Sequence, residues 1–195
     1  LDETIGLSAG DIQNGVIRLP GFRAMEVDQA FSDDRSAAFT RSGSFREMIR
    51  DFRSAEQNEF PLPEEMVPIL RSYQRAGFRW LKTLEEYGFG GILADDMGLG
   101  KTVQMITFLL SAKAKGLSHP ALIVCPASLV LNWLDECSRF APALNVMAVS
   151  GNSIYRRFQL NEAENYDVLI TSYDTLKRDI DQYELMNFSY CILDE

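Results

Sequence analysis

The sequence predicts an α/β fold: a parallel sheet with helices on both faces, preceded by a small mixed N-terminal extension. Three observations predict it. Short apolar runs such as Ala121-Leu-Ile-Val-Cys125 suit strands buried on both faces. Between them lie stretches whose apolar residues fall three or four apart, the mark of amphipathic helices. The two kinds alternate from about residue 91 to Leu193, which implies right-handed crossovers and a parallel sheet.

Taken in order, residues 1 to about 30 alternate apolar and polar around Ile12 to Leu19, turn at Pro20-Gly21 and resume with Phe22 to Val27, suggesting a small hairpin. Phe31 to Glu59 is polar, with a weak helical period through Phe45, Ile49 and Phe52, and Phe60-Pro-Leu-Pro63 looks like a linker. We therefore divide the chain into an N-terminal extension over 1–60, a remnant of an upstream region, and a main lobe over 61–195. A helix is expected over 64–87, from the spacing of Ile69, Leu70, Tyr73, Gly77, Trp80, Leu81 and Leu84. The apolar run at Gly91 to Ala94 is expected to be a strand. Helices follow over 102–115, 128–140, 153–164 and 174–184, and strands over 121–125, 146–149, 167–171 and 190–193. In such sheets ligands sit at the carboxyl ends of strands. That places Asp95 to Thr102, Pro126 to Ser128, Ser150-Gly151, Thr171-Ser172 and Asp194-Glu195 along one rim.

The net charge of −9 argues against a generally basic nucleic-acid surface and leaves room for a local basic path. Cys125, Cys137 and Cys191 lack metal-ligand spacing, and Cys125 and Cys191 lie in apolar runs as small buried hydrophobes. A reducing, intracellular setting is expected: cytoplasm or nucleoid in a bacterium, nucleus in a eukaryote. No apolar run approaches the roughly 20 residues of a membrane span. His119, the one histidine, is assigned no chemistry. The opening on Leu1 and the stop at Glu195 directly after an apolar strand suggest a piece of a longer protein.

Chemistry concentrates in Gly91-Gly-Ile-Leu-Ala-Asp-Asp-Met-Gly-Leu-Gly-Lys-Thr102. A strand, a glycine loop, Lys-Thr and a helix make a phosphate cradle, in which N–H groups around Gly98 and Gly100 ring a phosphate. Lys101 would reach the β and γ phosphates and the Thr102 hydroxyl would hold Mg²⁺, with the positive end of the helix adding partial charge. The strict pattern wants glycine where this chain has Asp95. Blandly, the segment is a helix N-terminus after an ordinary turn. Asp194-Glu195, alone, is the solvated start of a helix. With the phosphate loop in the same sheet, Asp194 would hold the metal and Glu195 would polarise the attacking water.

With these residues assembled, 66–195 resembles the first RecA-like lobe of the Swi/Snf-type ATPases, the double-stranded-DNA translocases of helicase superfamily 2, up to their DExx-type motif. Leu70-Arg-Ser-Tyr-Gln74 with Gly77 and Trp80-Leu81 resembles the family's Q-type motif, and Asp95 to Gln104 its phosphate loop, where Asp at 95 is usual and glutamate is commoner than Asp at 96. Cys125-Pro-Ala-Ser-Leu-Val-Leu-Asn-Trp133, with Glu136 and Phe140, resembles motif Ia, and Thr171 to Leu176 the next DNA-contacting segment.

The resemblance implies a P-loop NTPase using ATP and Mg²⁺. Nucleotide would be bound by Gln74, reading the adenine edge, and by Asp96, Met97, Gly98, Leu99, Gly100, Lys101, Thr102 and Val103. Lys101, Asp194 and Glu195 would be catalytic, and Thr102 and Asp194 would hold the metal. Ser128, Asn132, Gly151, Thr171 and Ser172 would line a path for double-stranded DNA. Arg156 and Arg157 are further charge on that path or ordinary exposed arginines, and Trp133 is core rather than a stacking platform, since Leu129, Val130, Trp133 and Leu134 share a helical face.

A second lobe outside this chain would supply an arginine finger, worth about 10³ to 10⁵ in rate, so this piece should bind nucleotide and hydrolyse it poorly. The strand between the phosphate-loop strand and the Asp194 strand would come from sequence after Glu195, leaving an edge open to strand exchange or oligomerisation. Three functions remain: a duplex-DNA translocase that remodels protein–DNA complexes, a nucleotide-gated protein-binding module, and an RNA-helicase or restriction-type motor.

Overall fold

The computed structural model describes residues 19, 21–33 and 40–194. Most of the first half of the expected hairpin, its turn residue Pro20 and Glu195 lie outside them. The chain forms two compact units, one holding residues 1–60 with Arg79–Ile92, the other Pro61–Phe78 with Leu93–Glu195. The chain passes from the second unit to the first within one helix, Ser72–Glu86.

The first unit is helical. Phe22 to Val27, expected as a returning strand, instead belongs to a 3₁₀ turn and helix α1, Ala24–Asp33. Ala24 and Asp28 are both buried and stand four apart, so the working period is that of a helix and the expected alternation is not. Helix α2, Gly43–Arg53, opens on Ser42, whose hydroxyl accepts from the Phe45 N–H at 3.2 Å. Its Phe52 stacks on Phe89, ring centres 5.1 Å apart, beside Tyr87. The Tyr87 hydroxyl donates to the Asp51 carboxylate at 2.7 Å, which pushes the phenol up to about 12.

In the second unit Glu64–Met66 is a 3₁₀ turn, and helix α3, Ser72–Glu86, starts eight residues later than expected. Pro68 lacks the N–H that a helix running from 64 would need there, while Met66 and Leu70 remain buried. Helix α4, Lys101–Lys115, buries Val103, Gln104 and every residue from Ile106 to Ala112. Strand β1, Ala121–Cys125, leads through a 3₁₀ turn, Ala127–Leu129, into helix α5, Val130–Phe140. Strand β2, Val146–Ala148, precedes helix α6, Ser153–Asn161, which Asn152 caps through the Tyr155 N–H. Strand β3, Val168–Ser172, leads to helices α7, Tyr173–Arg178, and α8, Ile180–Tyr183, and strand β4, Tyr190–Leu193, closes the described chain.

The four strands are parallel, in the order β2-β3-β1-β4. In β1 and β3 every residue is buried, as the wholly apolar run of β1 requires. On one face Leu122, Val124 and Leu169 pack with Val149, Leu160, Ala163 and Tyr183. Each such side chain contributes about 1.5–3 kcal/mol when fully removed from water.

Three expectations are corrected here. Gly91–Ala94 joins no strand ladder among the described residues, and Ile92 is 86 % exposed. A strand is held by its ladder, and among the described residues the edge strand β4 has β1 as its single neighbour. For the same reason Cys191, expected buried, is exposed, since alternate residues of β4 face outward at an edge; Cys125 is buried as expected, and Cys137 is buried too. The helix expected over 174–184 breaks at Asp179, whose carboxylate takes Arg156 Nε at 2.5 Å and Nη2 at 2.9 Å.

That pair is nearly sealed from water, with side chains 9 % and 6 % exposed. Hydrogen bonding by Arg156 holds the Asp179 carboxyl below its ordinary value. A depressed carboxyl contributes stability that is present above its unfolded pKa of about 3.9 and is lost as pH falls through the folded value. Asp179→Ala should therefore cost about 3 kcal/mol at pH 7 by stranding the guanidinium. Urea denaturation should show the gap between variant and parent narrowing below about pH 4; a gap independent of pH would show that the pair is not the source.

Candidate functional site

The segment 95–102 is a loop that reverses on two glycines, Gly98 at φ +83° and Gly100 at φ +79°, in the left-handed region that other residues rarely adopt. A Cβ at Gly100 would also stand 2.5 Å from Gln74 Nε2. Gly100 caps α4, so the positive end of a 15-residue helix opens onto the loop.

The loop is held from α3 at one point. Leu99 O accepts from Gln74 Nε2 at 2.9 Å and from the Tyr73 hydroxyl at 3.0 Å. Gln74 Oε1 in turn accepts from the Arg71 N–H at 2.9 Å. Both ends of the amide expected to read adenine are thus committed to the protein, and Gln74 is buried.

Lys101 Nζ lies back across the loop, donating to Asp95 O at 2.7 Å and Asp96 O at 3.5 Å. The two acidic residues beside the cradle separate here. Asp95 turns its carboxylate into α4, accepting from Gln104 Nε2 at 2.8 Å, while Asp96 is exposed. Gln104 is fully buried, and its other amide atom occupies the space that a Cβ at Gly77 would fill, 1.9 Å away. Gly77 and Gln104 are therefore supports of the loop. Both stood within the quoted motifs, but only three-dimensional packing shows what they touch. Met97 and Leu99 are exposed, Thr102 is half-buried and Val103 is buried.

Asp194 leaves β4 with its N–H on Val124 O at 2.8 Å. Its Oδ2 accepts from the Trp133 indole N–H at 2.8 Å, and its carbonyl from the Tyr173 hydroxyl at 3.2 Å. Trp133 is buried, as expected of a core residue, yet it also orients a carboxylate, which helical periodicity could not show. Oδ1 is without a protein donor among the described residues. The Cys125 thiol is pushed up to about 11, first by burial and then by the Asp194 charge, so it stays neutral.

Parallel pairing carries the ends of β1 to β4 to one rim, as expected for four of the five loops. Two of the hydroxyls expected there are turned inward. Thr171 is fully buried and donates to Val149 O at 3.3 Å. Ser172 caps α7, accepting from the Thr175 N–H, with its hydroxyl on Thr175 Oγ1 at 2.9 Å. Arg156 is likewise withdrawn, paired with Asp179 and donating to Gly151 O at 2.6 Å. Ser128, Asn132, Gly151 and Arg157 are exposed, and Asn132 Nδ2 donates to Glu136 at 3.0 Å. A groove of about 350 Å³ joins Gly100 and Val103 to Asn132, Arg139 and Phe140.

Comparison with known proteins follows this geometry. The SNF2-related domain model matches residues 73–195, and the model described as bacterial SNF2 helicase associated matches 1–63. An uncharacterized ATP-dependent helicase of Mycoplasma pneumoniae is 41 % identical over 150 residues, covering 75 % of this chain and 14 % of that protein. The TATA-binding protein-associated factor mot1 of Aspergillus fumigatus is 37 % identical over 167 residues, 80 % of this chain and 9 % of its own length. The chain thus spans about a seventh or less of these relatives. The solved SWI2/SNF2 ATPase core of Sulfolobus solfataricus in complex with dsDNA superposes with a TM-score of 0.59 at 39 % identity, over 65 % of this chain and 26 % of that one. A glycine loop heading α4, a carboxylate closing β4 in a parallel sheet of RecA-like type, and these matches agree: the chain belongs to the SNF2 family of ATP-dependent helicase-like proteins.

Proposed function

We propose that this chain is the ATP-binding lobe of a motor that hydrolyses ATP to move along double-stranded DNA and so remodels protein–DNA complexes. The observation that carries this reading is the loop at 95–102. Its two left-handed glycines and the start of α4 form a concave backbone with a primary ammonium already folded into it. A phosphate entering there would take Lys101 from the carbonyls of Asp95 and Asp96. These are neutral acceptors, and a charged oxyanion makes the stronger partner. Duplex DNA as the track is supported by the dsDNA-bound Sulfolobus solfataricus core.

The residues present fit Mg²⁺. Thr102 offers a hydroxyl at the head of α4, and Asp194 is fixed through Oδ2 while Oδ1 stays open. The bound ion would neutralise phosphate charge. Trp133 keeps Asp194 in one rotamer, Gln74 and Tyr73 keep the loop open at Leu99, and Gln104 draws the Asp95 charge away from the cradle. Glu195 is assigned the attacking water. Ser128, Asn132, Gly151 and Arg157 are assigned the DNA path, and residues 1–60 are taken as an accessory extension of the 61–195 lobe. The open edge of β4 suits one more strand, from this protein or a second copy. No helix among the described residues is long and apolar enough to cross a membrane; we place the protein inside the cell, on DNA.

Lys101→Ala should weaken ATP binding about tenfold or more through loss of the point charge, measured by titration calorimetry; unchanged affinity would disprove the cradle. Trp133→Phe keeps a large apolar side chain but removes the donor to Asp194. The Mg²⁺ concentration needed for half-maximal nucleotide binding should rise about tenfold, and no shift would separate Asp194 from the metal. In the full-length protein, ATP turnover should rise strongly with duplex DNA and little with single-stranded DNA or RNA, and the rise should fade with salt. Turnover indifferent to every nucleic acid would favour the protein-binding module.

A further inference from the structure

The first unit holds a basic groove that the nucleotide site does not use. Arg46, Arg50 and Arg53 of α2 stand four and then three residues apart, so they share one helical face over about 10 Å. Arg41 adds a fourth guanidinium, and the four line a cavity of about 660 Å³ floored by buried Ile49. At its base is Asp28, with a side chain 4 % exposed. It accepts from Arg41 Nε at 2.6 Å and from Arg53 Nη2 at 2.9 Å.

This buried carboxylate holds two of the guanidiniums in place. Arg46 and Arg50 lie further out, with Arg50 in exposed pairs with Glu47 and Asp51 that are worth little and release readily. Among the described residues the groove gathers four arginines around Asp28, with Glu47 and Asp51 beside Arg50, in a chain whose net charge is −9. Such a groove selects an anion.

We propose that this groove binds the phosphodiester backbone of a nucleic acid, as a contact separate from the lobe. Arginine forks match phosphate oxygens two at a time. A face of about 10 Å meets about three phosphates of one strand at 3.4 Å of axis each, which favours a polymer over a lone ion. Among the described residues the rest of the lining is Ser54 and Gln57, groups that bond phosphate, with no exposed apolar or aromatic anchor of the kind that carries peptide binding. That the polymer is duplex DNA rests on the reading of the lobe.

The test is fluorescence anisotropy of a labelled 20-base-pair duplex against the 195-residue chain across a salt series. Arg46→Ala with Arg50→Ala should raise Kd about tenfold at low salt and reduce the log–log salt slope by about 2. Both side chains are exposed and neither holds Asp28, so the fold should persist. Arg46→Lys with Arg50→Lys, which keeps the charge, should hold the parental slope. Ser128→Ala with Asn132→Ala reports the lobe independently: its effect can vanish while that of the arginine pair stays, or the reverse. Absent duplex binding, a double alanine variant with parental Kd and slope, or displacement of the duplex by oligoglutamate at lower charge concentration than by unlabelled duplex would each overturn the groove assignment.

Discussion

The pairing of β1 with a neighbour on each side is the constraint on which the second unit depends. Every residue of β1 is buried, so its backbone N–H and C=O groups have no water to turn to and must meet β3 and β4. Because both partners are parallel, their carboxyl ends arrive together. One ladder bond, Asp194 N–H to Val124 O, delivers the carboxylate to the rim. Trp133, on the helix that follows β1, then fixes its rotamer.

The glycine loop answers to a different economy. Among the described residues no strand ladder secures Gly91–Ala94, and the loop is held by side chains. Tyr73 and Gln74 share one carbonyl, that of Leu99, and Gln104 takes the Asp95 carboxylate. Gly77 leaves room for that glutamine. The presence of acid beside a polyanion site thus has a physical account: one carboxylate is spent on the loop's own support, and the other faces solvent. A loop held by few replaceable hydrogen bonds belongs to the low-stability end of a structure, where ligand-binding segments are generally found.

Charge follows the same division. The exposed rim keeps Arg157, while Arg156, one residue away in the same helix, is buried on Asp179. Adjacent arginines in the sequence carry identical charge and propensity. Which of them meets solvent is decided by the helical turn and by a carboxylate 23 residues distant.

The sequence by itself determined the class of fold, the order of elements from 101 to 193 and the location of the phosphate loop. Apolar runs, helical periods and glycine placement are local, and local patterns survive being read along a line. Tertiary structure alone decided the rest. It converted Phe22–Val27 into helix and left Gly91–Ala94 without a ladder. It buried the hydroxyls of Thr171 and Ser172 where exposed phosphate contacts were expected. It also joined Trp133 to Asp194 across 61 residues and Asp28 to Arg53 across 25. The physical reason is common to all of these. A hydrogen bond or a burial is settled by which groups meet once the chain has folded, and residue type alone does not say which partner a polar group will find.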